Sequence, residues 1–203
     1  MKGMLVIISG PSGSGKGTVV KKLHPAHGYA LSVSVTTRQR REHEIEGKDY
    51  FFCTPEEFIR KRDNNELLEH YLYCGNYYGT PRDYVEDQIN GGRAVVLEID
   101  VNGALQVRDK FPDAVLIFLM PPTMAELKRR LFARNTEDAV SIEDRIRKAE
   151  EEIGFIERYD YLVINDDVDT AVGQIDSIIA SESLKPSRNA ETIEQLRREE
   201  CAC

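Results

Sequence analysis

Cysteine is scarce in this sequence: Cys53, Cys74, Cys201 and Cys203 are the four in 203 residues. None forms a CxxC pair or stands at metal-ligand spacing from a histidine, which excludes the common zinc and redox motifs. Free thiols fit a reducing compartment. Positive charge is also short, with 27 Lys and Arg against 35 Asp and Glu and a net charge of -8. A general nucleic-acid binder needs a basic face, so that class is excluded. A small anion needs only a local cluster of Arg and Lys. Long apolar runs are missing too. Met4–Ile8 is too short for a signal segment and reads as a strand, and no stretch is long enough to span a membrane. With no targeting signal, the expected compartment is the cytoplasm. No internal repeat is present, and no Ser-His-Asp or Cys-His pattern. The histidines at 24, 27, 43 and 70 look incidental.

What remains is an ordinary globular composition, 41% hydrophobic and 31% charged, enough for one core domain with insertions. Met4–Ser9 is a continuous apolar strand followed by a glycine-rich turn and a helix over Lys16–Leu23. Ala30–Val35, Arg93–Ile99, Ala114–Met120 and Tyr161–Asn165 are further strands. Helical patterns occupy Val101–Phe111, Thr123–Arg134, Ile142–Arg158 and Val168–Ser183. Strand and helix alternate, so the spacing predicts an α/β fold with a parallel sheet flanked by helices. The core is expected over 1–35 and 93–183. Residues 36–92 break the rhythm with aromatic runs and two short helices, Pro55–Arg62 and Pro81–Asn90, and read as a mixed β/α insertion. A polar break at about 134–144 suggests a mobile lid. Residues 184–203 form a polar tail, a frayed helix or a disordered end.

Gly10-Pro11-Ser12-Gly13-Ser14-Gly15-Lys16 follows the first strand and opens a helix, the context that identifies a phosphate-binding loop. Glycines let backbone N–H groups wrap an anion, and the helix N-terminus adds its dipole. Lys16 would reach the β- and γ-phosphates of ATP. The next residue is Gly17 where Ser or Thr usually helps hold Mg²⁺. Thr18 is turned by roughly 100° around the helix and is no simple substitute. Mg²⁺ is then expected to be held mainly by phosphates and water, without direct protein ligands. Nucleoside-monophosphate kinases often carry this Gly-Lys-Gly-Thr variant.

Arg38 and Arg41, with Arg40 between them, lie just past the second strand. Guanidinium groups suit a bidentate grip on phosphate, yet alone this cluster is equally a solvated face. The whole run Thr36-Thr37-Arg38-Gln39-Arg40-Arg41-Glu42-His43-Glu44-Ile45-Glu46-Gly47-Lys48-Asp49-Tyr50 resembles the signature of guanylate kinases. Gly75–Thr80, Glu98–Gly103 and Asn165-Asp166-Asp167 are similar to that family as well. The resemblance runs from about residue 4 to 182.

The resemblance implies transfer of the γ-phosphoryl group of ATP to GMP, with dGMP as a second substrate. It implies that Arg38, Arg41, Tyr50 and Tyr78 hold the GMP phosphate. Ser34, Glu69 and Thr80 would read the guanine, and Asp100 would complete the pocket. Thr80 stands where Ser is common and keeps the hydroxyl. An ionised Glu69 can accept from both N1–H and N2–H₂ of guanine, whereas adenine would present an acceptor to it. The plainer alternative for Glu69 is a surface charge on a strand. Since the accepting phosphate oxygen is already ionised, no base is needed, and catalysis falls to positioning and charge stabilisation. Lys16, Arg38, Arg130, Arg134 and Arg145 are the expected catalytic cations. Arg130 and Arg134 share a helix face, while Arg129 and Arg147 read as solvated. The lid carries Arg134-Asn135-Thr136-Glu137 where the family has Arg-Gly-Thr-Asp/Glu.

Three rival functions are opposed by the sequence. A kinase preferring AMP or a pyrimidine nucleotide is opposed by the 36–50 run and Glu69. A non-catalytic guanylate-kinase-like binding module is opposed by the intact Gly15-Lys16 loop. A regulatory GTPase would need an Asn-Lys-x-Asp motif, which is missing.

Overall fold

The computed structural model of the chain describes residues 3–73, 75–133 and 139–200. β1 (Met4–Ser9) is buried at all six positions, as its unbroken apolar sequence requires of a strand covered on both sides. The glycine loop leads into α1 (Lys16–His27), which runs beyond the expected end at Leu23. The single strand expected over Ala30–Val35 is in fact two, β2 (Ala30–Leu31) and β3 (Val35–Thr36), in different sheets. Ser32 and Ser34 break the apolar run where the chain crosses over. The N–H of Ser32 still donates to the carbonyl of Val96 at 3.2 Å.

β4 (Phe51–Phe52), α2 (Pro55–Asp63), β5 (Leu67–Tyr73), β6 (Asn76–Pro81) and α3 (Arg82–Asn90) follow. Then come β7 (Ala94–Glu98), α4 (Val101–Lys110), β8 (Val115–Met120), α5 (Met124–Ala133), α6 (Ala139–Ile153), β9 (Tyr161–Ile164), α7 (Val168–Ser183) and α8 (Ala190–Glu200). The helix expected over Ile142–Arg158 ends at Ile153, because Gly154 is a poor helix former. A separate short 3₁₀ turn covers Ile156–Arg158.

The first sheet is parallel throughout, in the order β2-β7-β1-β8-β9. One face packs Val6, Ile8, Ile117 and Leu119 against Val19 and Leu23 of α1 and Ile175 of α7. The other packs Leu5, Ile7, Val95 and Leu97 against Val85 of α3 and Ala104 and Val107 of α4. Each fully buried Val, Leu or Ile contributes about 1.5–3 kcal/mol. The fold class is therefore the α/β one expected. β4-β3-β6-β5 form a mixed second sheet, with Phe58 of α2 buried against it and stacked on Tyr77 at 5.2 Å.

Arg134 and the Asn135-Thr136-Glu137 stretch lie outside the described residues, as do Cys74, Cys201 and Cys203. In the tail, α8 is largely exposed, and its approach is tied down by Asn189 Nδ2 to the Ser183 carbonyl at 2.8 Å. Among the described residues no helix is long and apolar enough to cross a membrane.

Candidate active site

The loop from Gly10 to Lys16 joins the C-terminal end of β1 to α1. Gly10 has a φ of 140°, and a Cβ there would sit 2.2 Å from the Leu119 carbonyl oxygen. Gly15 has a φ of 91°, and its Cβ would meet Asn165 Nδ2 at 2.4 Å. Only glycine fits either place. The same Asn165 amide donates to the Ser14 carbonyl at 2.8 Å, so the end of β9 pins the loop. Lys16 Nζ donates to the carbonyls of Gly10 at 2.6 Å and Pro11 at 3.2 Å. Ser12 is half-buried, Gly13 and Ser14 are buried, and Thr18 is exposed at the first turn of α1. A Cβ on Gly17 would lie 3.4 Å from Glu98 Oε1, so a carboxylate stands close to where a loop hydroxyl would be.

Gly13, Gly15 and Lys16 border a cavity of about 200 Å³ whose other walls include Tyr50, Tyr71, Tyr78 and Asp100. The loop and the second sheet thus open onto one space. On the other side of the loop, Thr18, Arg130 and Asn165 border an opening of about 330 Å³.

Glu69 on β5 is fully buried, and Thr80 Oγ1 on β6 donates to its Oε1 at 2.7 Å. Its Oε2 has no hydrogen-bond partner among the described residues. Gly103 of α4 makes the room: a Cβ there would lie 2.8 Å from Glu69 Oε2. Burial pushes the Glu69 carboxyl up to about 8; the Thr80 hydrogen bond opposes this and the charge of Asp100 adds to it. Asp100 caps α4 by accepting from the Gly103 N–H at 2.8 Å, and burial raises its carboxyl too. Its second oxygen is buried and unpaired among the described residues.

Arg38 NH2 donates to Glu44 Oε1 at 2.7 Å, and its guanidinium lies 5.4 Å from the centre of the Tyr50 ring. Tyr50 meets Tyr78 edge-on at 6.0 Å, and burial pushes its hydroxyl up to about 12. Arg41 is exposed; its backbone N–H donates to Glu44 Oε2 at 2.9 Å. Ser34 is half-buried at the crossing between the sheets, its carbonyl accepting from the Phe51 N–H at 2.9 Å. Arg130 donates through Nε to Glu126 Oε1 at 2.7 Å and through NH2 to the Asn165 carbonyl at 3.0 Å. That places it over the loop, and Arg145 is half-buried on α6. The structure brings together the loop, Tyr50, Tyr78 and Asp100 around one cavity, keeps Arg38 against Tyr50 behind that wall, and sets Glu69 and Thr80 beside Asp100. It leaves the Arg41 side chain toward solvent.

Sequence reasoning passed over four residues here. Tyr71 and Tyr73 follow Glu69 at spacings of two and four, the period of one strand face, and both line the cavity. Glu152, buried on α6, lines it too, and burial pushes its carboxyl up to about 7 against the pull of Lys16. Its spacing from Arg145 and Ala149 marks one helix face. Glu44 lies inside the 36–50 run with no chemical signal of its own. It is 8% exposed and bridges Arg38 to the Arg41 backbone.

Burial tends to raise the Glu44 carboxyl, but its bonds to Arg38 and the Arg41 N–H hold it below the ordinary carboxylate value. A carboxylate held low stabilises the fold above its unfolded value, and that contribution is lost as pH falls through the folded value. Glu44→Ala is expected to cost about 2 kcal/mol in urea unfolding at pH 7. The difference from wild type should shrink below pH 4. An equal cost at both pH values would contradict this account.

A parallel sheet with a glycine-lysine loop, facing tyrosines and buried carboxylates across one cavity, defines an α/β phosphotransferase. The guanylate kinase family model matches residues 2–182. Curated guanylate kinases from Clostridium acetobutylicum, Oceanobacillus iheyensis and Bacillus subtilis are 46%, 48% and 49% identical to the chain. The alignments cover 95%, 96% and 93% of this chain and 92%, 95% and 94% of theirs. The crystal structure of guanylate kinase from Anaplasma phagocytophilum matches with a TM-score of 0.79 at 37% identity, covering 92% of this chain and 89% of that one. The chain belongs to the guanylate kinase family.

Proposed function

We propose that this chain transfers the γ-phosphoryl group of ATP to GMP, and also to dGMP, giving ADP and the nucleoside diphosphate, in the cytoplasm. The observation that carries this reading is the shared cavity, with the phosphate loop on one wall and Tyr50 and Tyr78 on another, Arg38 lying against the Tyr50 ring. The donor phosphates would lie along Gly10–Thr18 with Lys16 on the β- and γ-groups. Arg38, Arg41, Tyr50 and Tyr78 would hold the acceptor phosphate, and Ser34, Glu69, Thr80 and Asp100 would hold the guanine. In this reading residues 36–92 are the GMP-binding unit, 1–35 and 93–183 the core, about 134–144 the lid and 184–203 an appended tail.

No proton need leave the nucleophile, since a phosphate oxygen of GMP is already an anion. The protein's task is to bring two anions together and to offset charge on the equatorial oxygens of the transferred group. Lys16, Arg38, Arg130, Arg134 and Arg145 serve that purpose. Mg²⁺ bound with ATP would neutralise charge on the β- and γ-phosphates. The Glu98 carboxylate stands beside Gly17, and with no hydroxyl at that position the ion would be held mainly by phosphates and water.

The test is an ADP-release assay with Mg·ATP and GMP, dGMP, AMP, CMP, UMP or no acceptor. Fast turnover is expected with GMP and dGMP alone. Strong turnover with AMP would overturn the base assignment. ATP binding without turnover on any acceptor would favour a non-catalytic binding module.

A further inference from the structure

Glu69 sits at an irregularity that a helix of the other sheet's layer holds in place. Leu67 pairs with Pro81 and His70 with Gly79, so β5 uses three steps where β6 uses two. This is a bulge, and it turns the residues inside it, Leu68 and Glu69, away from regular alternation. β5 is also the edge strand of its sheet. An edge bulge leaves backbone groups without ladder partners, and they need others.

α4 supplies them. Gly103, Gln106 and Lys110 stand three and four residues apart and form one face of the helix. Gly103 opens the space for the Glu69 carboxylate. The Gln106 side-chain amide closes a two-way clamp on His70, accepting from its N–H at 3.4 Å and donating to its carbonyl at 2.9 Å. Lys110 Nζ donates to the Leu68 carbonyl at 2.8 Å. The residues on both sides of Glu69 are thus fixed from one helix face, whose N-cap is Asp100.

On the reading that Glu69 recognises guanine, we propose that Gln106, together with Lys110, is a positioning residue for base selection: it fixes the bulge so that the Glu69 carboxylate is aimed at both guanine donors. Neither residue lines the cavity shared by the loop, Tyr50 and Tyr78. A clamp that only covered an edge strand would support the whole pocket equally. A clamp that aims Glu69 supports the second donor contact most.

Inosine monophosphate separates the two, because it keeps N1–H and lacks the exocyclic amino group. Steady-state kinetics of Gln106→Met with GMP and with IMP, at saturating Mg·ATP, is the experiment. KM for GMP is expected to rise about tenfold, the effect of two lost hydrogen bonds. KM for IMP should rise less, so the preference for GMP narrows, with kcat and the KM for ATP nearly unchanged. Gln106→Glu keeps the acceptor for the His70 N–H and loses the donor, and should fall between. Equal losses with GMP and IMP, or none, would overturn the proposal. If Gln106→Met does not fold, Lys110→Met carries the same test, and an unchanged GMP-to-IMP ratio there would overturn it. Wild-type protein inactive on GMP would instead remove the guanine reading beneath it.

Discussion

Glu69→Gln is expected to lower kcat/KM for GMP by at least about 10²-fold, and by up to about 10⁴-fold, with little change in the KM for ATP. The buried carboxylate has Thr80 on one oxygen and no protein partner among the described residues on the other. An ionised carboxylate accepts from two guanine donors at once. Glutamine must turn its NH₂ toward one of them, and a donor then faces a donor. Charge-assisted hydrogen bonds are worth about 1.5–3 kcal/mol each, which sets the lower bound. A loss shared equally between GMP and ATP would mean that the variant had only loosened the fold.

The same residue gives a pH test. Burial raises the Glu69 carboxyl to about 8, so much of it is protonated at pH 7 and must ionise to accept from guanine. Between pH 7 and 9 the GMP phosphate is already dianionic, since its second pKa is about 6. KM for GMP is therefore expected to fall about tenfold across that window, and Glu69→Gln should abolish the trend. Stability runs the opposite way. The folded state holds this proton between its ordinary value near 4.5 and about 8, so the unfolded chain binds fewer protons there and stability declines as pH rises. Glu69→Gln should flatten that decline. A KM for GMP independent of pH between 7 and 9 would show that the carboxyl is ionised throughout.

The parts of this site legible in the sequence were those whose chemistry depends on neighbours in the chain. Gly10–Lys16 is readable because one strand-to-helix turn builds the whole cradle. The parallel sheet is readable because β8 is apolar throughout and β1 and β7 are apolar up to their last residues, Ser9 and Glu98. Ser32 and Ser34 carried a visible signal, a polar break in an apolar run, that marks the crossing between sheets. Gly103 gave none, because its purpose is the absence of a Cβ opposite Glu69, 34 residues earlier in the chain. Gln106 was equally silent. A helical glutamine is ordinarily solvated, and only the bulge in β5, which the sequence does not announce, gives it partners.

Arg129 and Arg130 test how much charge stabilisation one correctly placed guanidinium supplies. Both donate to Glu126, and together, Arg129 first, they pull its carboxyl down to about 2. Their side chains differ in exposure, 69% against 24%. Arg130 also donates to the Asn165 carbonyl, and the Asn165 amide in turn holds the Ser14 carbonyl of the loop. That chain of contacts registers Arg130 against the loop, whereas among the described residues Arg129 hydrogen-bonds to Glu126 alone, although it too borders the opening beside the loop. Arg130→Met is expected to lower kcat by about 10³-fold or more, with the KM for GMP nearly unchanged, because its charge matters most as the phosphoryl group departs. Arg129→Met should leave kcat within about twofold, as an exposed ion pair contributes little. Stopped-flow single turnover would separate chemistry from product release in both variants. Equal losses in the two would place the effect in Glu126 and the α5 surface, and would remove Arg130 from the group that stabilises the transferring phosphoryl.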